Sequence, residues 1–364
     1  MKTKSILTEM APYKPGKQIE DVKKEYNLEK IVKLASNENP FGFSEEVKRK
    51  LPALLDQLEF YPDGYAREIR EAVASFYNVD ENQLIFGNGS DEIVQILCRA
   101  FLEKGTNTIM ATPTFPQYKH NALIEGAEAR EIPLTEDGHH DIEAMLQEID
   151  ESTRVLWLCS PNNPTGVLLD QETVDDIIER TPEHVLIVMD EAYFEYADTA
   201  KRYPSIEAVQ QHNNIVVLRT FSKAYGLAGL RIGYGIADAR LVAAMEPARE
   251  PFNTSVIAQK AAVIALDDQH FLTQTVAETQ QNKKDFMKFC DDAGLRYDQS
   301  EANFLLIHLP ISGDEMFEYL LTKGFIVRSG EALGLPNSIR LTIGSKEDMQ
   351  SVQYYMKEKL MQEG

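Results

Sequence analysis

The middle of the chain alternates short apolar runs with stretches of helical periodicity. The apolar runs are rich in Val, Ile and Leu, and they begin at Ile109, Val155, Val185, Ile215 and Ile232. Because these runs are continuous rather than alternately apolar and polar, they predict parallel strands that are buried on both faces. Helical stretches such as Asp91–Glu103 and Gln171–Arg180 lie between them. This order of strand, helix and strand predicts an α/β domain with a mostly parallel sheet.

The pattern changes after about residue 255. Residues 256–294 have a long helical periodicity, and a closing helix starts at Lys346. Between the two, short strands are predicted at Phe304–His308, at Phe325–Arg328 and around Arg340–Ile343. We therefore predict an N-terminal arm over residues 1–35 that contributes to a smaller domain, a large α/β domain over 36–255, and a smaller α+β domain over 256–364.

Composition and charge exclude several classes of function. Of the 364 residues 43% are hydrophobic and 26% are charged, which is typical of a folded globular protein. The formal net charge of −21 disfavours nucleic acid and anionic membranes as partners. Three widely spaced cysteines form neither a disulfide framework nor a metal motif, and we expect no bound metal. Without a signal-peptide pattern or an apolar run long enough for a membrane span, the sequence predicts a cytoplasmic enzyme.

Polar residues follow the predicted strands where each strand ends. The four segments are Gly87–Glu92, Ser160–Gly166, Asp190–Tyr193 and Thr220–Lys223. In open parallel sheets, ligands bind beside the carboxyl ends of the strands. We therefore expect these four segments to converge on one crevice.

The turn Gly87–Ser90 precedes a predicted helix and is a candidate phosphate cradle, because backbone N–H groups and the helix dipole attract an anion. Such turns are also common where a glycine or serine merely caps a helix. The turn is not a dinucleotide-binding motif, since Glu92 stands where the third glycine would be. The chain also lacks a GxxxxGK[ST] loop, so an enzyme that uses nicotinamide or ATP is disfavoured.

Lys223 and Asp190 are the candidates for catalysis. A lysine is a poor nucleophile at neutral pH unless burial or a neighbouring cation such as Arg231 lowers its pKa, or unless it forms an imine with an aldehyde cofactor. On its own, Lys223 could equally be a solvated loop residue. A carboxylate that ends an apolar strand, as Asp190 does, needs a cationic or hydrogen-bonding partner. A lysine imine together with an aspartate on a pyridine nitrogen is typical of pyridoxal-phosphate enzymes.

Over nearly its whole length the chain resembles the fold-type I pyridoxal-phosphate aminotransferases. The motifs that carry this resemblance are Ser160–Gly166, Asp190–Tyr193, and Ser222-Lys223 with Arg231. Within that superfamily the chain is similar to the histidinol-phosphate aminotransferase family. The further motifs are Leu34–Pro40, Tyr61–Gly64, Gly87–Glu92, Pro113–Tyr118, Val327–Gly330 and Ile339–Gly344.

The resemblance implies a large cofactor-binding domain with a mostly parallel, seven-stranded sheet, and roles for particular residues around pyridoxal 5'-phosphate. Lys223 would form the imine and then move the substrate proton, and Asp190 would hold the pyridine nitrogen. Tyr193 and Asn163 would donate to the ring oxygen, and Phe115 would stack on the ring. The phosphate would be held by Gly89, Ser90, Asp91, Thr220, Ser222 and Arg231, with Tyr61 reaching it from the other subunit of a homodimer.

The resemblance also implies the reaction, which converts histidinol phosphate and 2-oxoglutarate into imidazole acetol phosphate and L-glutamate in histidine biosynthesis. Arg340 would bind the glutamate carboxylate and Arg328 the phosphate of histidinol phosphate, with Tyr13 and Asn39 at the mouth of the site. An aromatic amino-acid (Phe or Tyr) aminotransferase and an amino-acid phosphate decarboxylase are alternatives within the same fold. A catalytically silent regulatory module is a further alternative, although residues 1–35 are too short for the DNA-binding segment of such proteins.

Overall fold

The computed structural model describes residues 2–8, 10 and 16–363. In these residues the helices are α1 (Ile19–Tyr26), α2 (Glu45–Lys50), α3 (Arg67–Tyr77), α4 (Ser90–Phe101), α5 (Gln117–Glu125), α6 (Ile142–Gln147), α7 (Gln171–Arg180), α8 (Ser205–Gln211), α9 (Ala239–Met245), α10 (Val256–Asp267), α11 (Gln269–Ala293), α12 (Gly313–Thr322) and α13 (Lys346–Glu363). The strands are β1 (Val32–Lys33), β2 (Leu84–Gly87), β3 (Asn107–Thr112), β4 (Glu128–Pro133), β5 (Thr153–Cys159), β6 (Leu186–Asp190), β7 (Ile215–Thr220), β8 (Gly233–Ala237), β9 (Phe304–His308), β10 (Phe325–Ile326), β11 (Arg328–Ser329) and β12 (Ser338–Thr342).

A seven-stranded sheet with the order β2-β8-β7-β6-β5-β3-β4 forms the centre of the fold. The neighbours from β7 to β4 pair in parallel, so the predicted α/β class with a mostly parallel sheet is confirmed. The prediction of a parallel strand at Ile232 is wrong, because β8 runs antiparallel to both β7 and β2. The twelve residues between β7 and β8 contain only a short 3-10 turn (Ala228–Leu230), whereas the crossover to a parallel neighbour usually contains an α-helix.

The central sheet is buried on both faces. Alternate residues of β5 enter two different cores: Leu156 and Leu158 pack into one apolar cluster, and Val155 and Trp157 pack into the other. Successive side chains of a strand point to opposite faces, so a strand covered on both sides needs an apolar residue at every position. This explains the continuous apolar runs of the sequence. The strand ends are then the places where polar groups reach a ligand.

The C-terminal part contains an antiparallel sheet in the order β11-β12-β9 and an apolar core of its own. The single strand predicted at Phe325–Arg328 is wrong, because β10 and β11 are separate strands in different sheets. β10 pairs in parallel with β1, so the residues just before the large domain join the C-terminal part. Val327, which separates the two strands, is buried in the C-terminal core.

The long helical pattern predicted over residues 256–294 is broken at Asp268. The Asp268 carboxylate accepts a hydrogen bond of 3.1 Å from the N–H of Phe271 and thereby caps α11. The buried alanines of α10 belong to a core cluster of the central sheet, whereas Phe286 and Cys290 of α11 belong to the C-terminal core. We therefore propose that the domain boundary lies near Asp268 rather than at residue 255.

No helix in the described ranges combines the length and the apolar character that crossing a membrane requires.

Candidate active site

The carboxyl ends of β5, β6 and β7 lie side by side and form one wall of a crevice. Cys159 pairs with Asp190, and Asp190 pairs with Leu218, so the polar residues that follow these strands leave the sheet at the same edge. A buried ion pair ties two of these strand ends together: Arg219 Nη2 lies 2.6 Å from Glu191 Oε2. The sequence patterns gave no role to this pair, which fixes the spacing between the segment of Asp190 and the segment of Lys223.

Lys223 follows β7 and is half-buried in the crevice. Its Nζ donates a hydrogen bond of 3.2 Å to the carbonyl oxygen of Ser36 and lies 5.6 Å from the centre of the Tyr193 ring. Burial lowers the pKa of Lys223 to about 8, and the positive charge of Arg340 acts in the same direction. An amine with a lowered pKa is partly unprotonated near neutral pH and can act as a nucleophile or a base.

Asp190 is the last residue of β6 and is only 4% exposed. Burial raises the pKa of its carboxyl to about 6, although hydrogen bonds from Tyr118 and Ala192 oppose this. Both donors are uncharged: the Tyr118 hydroxyl lies 2.5 Å from Oδ2, and the Ala192 N–H lies 3.2 Å from Oδ1. A buried carboxylate is costly unless a cation or several donors compensate it. Asp190 therefore offers a strong acceptor to a protonated nitrogen of a ligand.

Tyr118 was missed by the sequence analysis as a site residue. Its ring is fully buried and stacks on Trp157, with ring centres 4.5 Å apart and an angle of 11° between the planes. Phe115 contacts the same ring edge-on at 5.4 Å. Phe115 lies before α5 and Tyr118 lies in its first turn, so helical spacing does not relate the two residues, and the sequence signal was their shared position in the motif Pro113–Tyr118. Tyr118 fixes the orientation of the Asp190 carboxylate.

The Gly87–Ser90 turn and Arg231 form a cradle for an anion. Gly89 has a φ of +80°, and a Cβ at this position would overlap the Arg231 guanidinium, so only glycine fits here. Ser90 begins α4, whose first N–H groups have no intrahelical acceptor. Arg231 Nη2 lies 3.2 Å from the carboxylate of Asp91, the second residue of α4. A helix N-terminus next to an arginine is a site for phosphate.

Two hydroxyls of the loop after β7 extend this cradle. Arg231 Nη1 donates to the Ser222 hydroxyl at 3.2 Å, and the N–H of Ser222 donates to the Thr220 hydroxyl at 3.1 Å. Both hydroxyl-bearing residues are buried. The predicted phosphate-binding residues other than Tyr61 therefore lie close together.

Arg328 and Arg340 lie directly opposite each other on the paired strands β11 and β12. Arg340 is 6% exposed, and it donates to the Asn163 side-chain oxygen and, at 2.7 Å, to the carbonyl oxygen of Ala35. Like charges at directly opposed positions of a sheet are destabilising on their own. An anionic ligand between the two guanidinium groups would offset that repulsion.

Tyr193 lies between the Lys223 side and the Arg340 side of the crevice. It is buried, and its ring meets Phe304 edge-on with ring centres 5.2 Å apart. Its hydroxyl accepts a hydrogen bond of 3.0 Å from the side-chain amide of Asn37. Burial raises the pKa of Tyr193, so the phenol keeps its proton at neutral pH.

The contacts described above do not include three of the predicted site residues: Asn39, Tyr61 and Tyr13. The Asn39 amide donates to the carbonyl oxygen of Ala224 at 2.9 Å and accepts from the N–H of Phe41 at 3.0 Å, so it fixes the loop next to Lys223. Tyr61 is 82% exposed and stacks on Phe252, away from the contacts that join the other site residues. Tyr13 lies outside the described residues. No group of three metal-ligating side chains was found in ranges 2–8, 10 and 16–363.

The chain is similar in sequence to a known family of proteins. A sequence profile of the family aminotransferase class I and II matches residues 29–353. The histidinol-phosphate aminotransferase of Geobacillus sp. (strain WCH70) is 58% identical over 353 residues, which cover 97% of this chain and 96% of the relative. That of Bacillus subtilis (strain 168) is 54% identical over 353 residues, which cover 97% of this chain and 98% of the relative.

A similar fold is also found among solved structures. The crystal structure of histidinol-phosphate aminotransferase from Sinorhizobium meliloti in complex with pyridoxal-5'-phosphate has a TM-score of 0.90 and 24% sequence identity, and the match covers 100% of this chain and 99% of that chain. At this level of identity the similarity supports the fold, and function must be argued from the site.

Proposed function

The chain belongs to the aminotransferase class I and II family, and from this we propose that it is a pyridoxal-phosphate-dependent transaminase acting on histidinol phosphate. The proposed reaction converts histidinol phosphate and 2-oxoglutarate into imidazole acetol phosphate and L-glutamate. Relatives named for this activity are 54% and 58% identical over nearly the whole chain. The observation that supports the proposal is that Arg340, whose positive charge lowers the pKa of Lys223, lies directly opposite Arg328 on the neighbouring strand, so that two arginines are available for anionic groups of the substrates.

The residues of the crevice fit pyridoxal 5'-phosphate. The buried Asp190 carboxylate, whose donors are both uncharged, suits a protonated pyridine nitrogen, and the cradle at Gly89 and Arg231 suits the phosphate. Tyr193 and Asn163 would donate to the ring oxygen; Asn163 can use its amide N–H because its oxygen already accepts from Arg340. Phe115 would lie against the ring. When bound, this cofactor supplies an electron sink that stabilises negative charge at the substrate carbon.

We propose that Lys223 moves the proton in this reaction. Its Nζ has a pKa of about 8, so it can take up a proton from the substrate α-carbon and release it again near neutral pH. Arg340 lowers the pKa of Lys223, and the carbonyl oxygen of Ser36 accepts from its Nζ. The hydrogen bond to Ser36 holds the amine on the side of the crevice where Tyr193 lies.

The two substrates differ in the anionic groups that they present. Glutamate and 2-oxoglutarate carry two carboxylates, whereas histidinol phosphate carries a phosphate and no carboxylate. We propose that Arg340 binds a carboxylate and that Arg328 binds the phosphate, since a planar guanidinium can make paired hydrogen bonds to either anion. One site can then accept both substrates in turn.

Arg328→Ala tests this assignment. We expect kcat/KM for histidinol phosphate to fall by about 100-fold, because a charge-assisted hydrogen bond contributes up to about 3 kcal/mol. The value for phenylalanine or tyrosine should fall far less, since these substrates lack a phosphate. Both are measured by steady-state kinetics with 2-oxoglutarate as acceptor, with Arg328→Lys as the control that keeps the charge. Equal losses for both substrate types would contradict the role of Arg328. Release of carbon dioxide from an amino-acid phosphate by the wild-type protein would favour a decarboxylase over a transaminase.

We further propose that the protein is a homodimer in which Tyr61 completes the site of the other subunit. Exposed apolar side chains are concentrated near Tyr61, and we call them the Tyr61 surface. They are Leu55, Leu58, Phe60, Tyr61, Tyr65 and Phe252. Exposed groups of large apolar side chains often mark protein interfaces. A second copy of the chain would bury them by a two-fold symmetric contact.

Complementation between subunits tests the position of Tyr61. A hybrid dimer of a Tyr61→Ala subunit and a Lys223→Ala subunit is expected to regain about half of the wild-type activity, because one of its two sites then lacks neither residue. Hybrids are purified with two different affinity tags and assayed. A hybrid of Lys223→Ala and Asp190→Ala subunits is the negative control and should stay inactive. Both residues act in the site of their own subunit, so each site of this hybrid lacks one of them. If the Tyr61 hybrid stays inactive, Tyr61 does not act across the interface.

A further inference from the structure

Residues 35–37 contact three different residues of the proposed site. The carbonyl oxygen of Ala35 accepts from Arg340 at 2.7 Å, and that of Ser36 accepts from Lys223 Nζ at 3.2 Å. The side-chain amide of Asn37 donates to the Tyr193 hydroxyl at 3.0 Å. The first two contacts use backbone atoms, which any residue supplies. The third requires the side chain at position 37.

The orientation of the Asn37 amide follows from its contacts with Thr342. The Thr342 hydroxyl accepts from the backbone N–H of Asn37 at 3.0 Å and donates to the side-chain oxygen of Asn37 at 3.1 Å. With its oxygen thus engaged, the amide must present its NH2 group to Tyr193. Asn37 is 1% exposed and has a φ of +54°, a left-handed conformation that asparagine adopts more readily than most residues. Asn303 also donates to the carbonyl oxygen of Asn37, at 3.1 Å.

The direction of this hydrogen bond determines what Tyr193 can do. A phenol has one proton to donate, and its oxygen also accepts. Because the Tyr193 oxygen accepts from Asn37, its proton remains available for another acceptor. In the proposed function, that acceptor is the ring oxygen of the cofactor.

We propose that Asn37 is a positioning residue that keeps Tyr193 as a hydrogen-bond donor to the ring oxygen of the bound cofactor. The inference rests on the proposed function and adds to it a residue that does not itself touch the cofactor. Thr342 fixes Asn37 and lies two positions after Arg340 on β12, so the two side chains share one face of the strand. The strand that carries the substrate-binding arginine thus also holds the group that orients Tyr193.

The charged groups around Tyr193 come from several elements. Lys223 lies over its ring, Arg340 lowers its pKa, and Asp190 raises it. Burial has the largest effect and raises the pKa of Tyr193, so the phenol has a proton to donate. A substitution at Asn37 leaves these three charged side chains in place.

Asn37→Asp is the most direct test. Aspartate tolerates the left-handed backbone and keeps an oxygen for Thr342, but it replaces the amide donor with an acceptor that draws the proton of Tyr193 to itself. The readout is a pH titration of the visible absorption of protein loaded with pyridoxal 5'-phosphate. The pH at which half of the change has occurred is called the midpoint. The ring oxygen is more negative when the attached lysine nitrogen has lost its proton, so losing a donor to that oxygen raises the midpoint. We expect a rise of about 0.7 in midpoint pH and about five-fold weaker cofactor binding, as for one lost hydrogen bond.

Thr342→Val is the second variant, for the case that Asn37→Asp does not fold. It removes the hydroxyl that orients the amide while keeping the side-chain volume, and it should move the midpoint in the same direction by a smaller amount. In a Tyr193→Phe background, Asn37→Asp should add only the smaller rise that its own negative charge produces at the lysine nitrogen. The neutral Thr342→Val should add nothing there, because the phenol through which both variants act is absent.

Asn282→Asp is the matched control. Asn282 is also a buried asparagine, and it donates to the carbonyl oxygen of Gly344 at 3.0 Å. Its substitution should lower the melting temperature without moving the midpoint. The inference is overturned if Asn37→Asp lowers stability and leaves the midpoint unmoved, or if Thr342→Val still moves the midpoint without the Tyr193 hydroxyl. A wild-type protein with no visible absorption after loading would instead contradict the proposed function itself.

Discussion

Replacing Lys223 with alanine is expected to lower kcat by about 10⁴-fold or more, because in the proposed function one amine both attaches the cofactor and moves the substrate proton. The visible absorption of the lysine-linked cofactor should disappear as well. In wild-type protein, reduction with borohydride followed by peptide mass spectrometry should place the cofactor on the peptide that contains Lys223. A Lys223→Ala protein that still carries covalently attached cofactor would contradict the assignment.

Lys283 provides a matched control for this experiment. Burial lowers its pKa to about 8, as for Lys223, but its Nζ donates to the carbonyl oxygens of Ser300 at 2.7 Å and Ala302 at 2.8 Å. Lys283→Met should therefore lower the stability of the protein and leave cofactor attachment intact. The comparison separates the effect of removing a buried lysine from the effect of removing the reactive one. A lowered pKa is shared by both residues, and only Lys223 is surrounded by the other groups of the crevice.

Asp190→Asn is expected to have two opposite effects. Activity should fall by about 10³-fold, because the neutral amide cannot keep the pyridine nitrogen protonated. The cofactor-free protein should become more stable at neutral pH, because the buried carboxylate is costly there. The pKa of Asp190 is raised from 3.8 to about 6, so ionisation of this group costs about 3 kcal/mol of folding free energy above pH 6.

The pH dependence of this second effect follows from the sign of the pKa shift. Below about pH 4 the carboxyl is protonated in both the folded and the unfolded chain, so Asp190 and asparagine should give the same stability. Between pH 4 and 6 the folded chain holds its proton while the unfolded chain loses it, and the stability of wild-type protein falls relative to Asp190→Asn. Above pH 6 the difference is constant. Urea denaturation of both cofactor-free proteins across this range measures it.

Asp150→Asn is the control with the opposite expected sign. Hydrogen bonds from Ser152, together with Arg130 and Asn107, lower the pKa of Asp150, so its ionised form stabilises the folded chain. Its substitution should therefore destabilise the protein at neutral pH. If Asp190→Asn also destabilised the cofactor-free protein at pH 7.5, Asp190 would not be the costly buried carboxylate, held by the uncharged donors Tyr118 and Ala192, that the structure indicates. The gain in stability that we expect for Asp190→Asn is an example of a general rule, by which residues needed for function are often unfavourable for stability.

The sequence predicted those parts of the fold that depend on local pattern. Continuous apolar runs correctly indicated β5, β6 and β7, since a strand buried on both faces needs an apolar residue at each position. The direction of β8 and the division of Phe325–Arg328 between two sheets were predicted wrongly, because an apolar run does not specify its pairing partner. The break at Asp268 was missed because neither glycine nor proline separates the two helices, and the boundary is marked by a capping aspartate instead.

The candidate site likewise has features that the sequence predicted and features that it did not. The sequence by itself determined the chemical groups, because Gly89, Asp190, Lys223 and Arg231 lie in short motifs at strand ends, where the residue types suffice to indicate an anion cradle, a carboxylate and an amine. Only the tertiary structure decided how these groups are oriented. Tyr118 reaches Asp190 across 72 positions of sequence, and Asn37 reaches Tyr193 across 156. The periodicity of a segment reports which of its faces is buried, whereas the direction of a hydrogen bond depends on which distant residue the fold places opposite it.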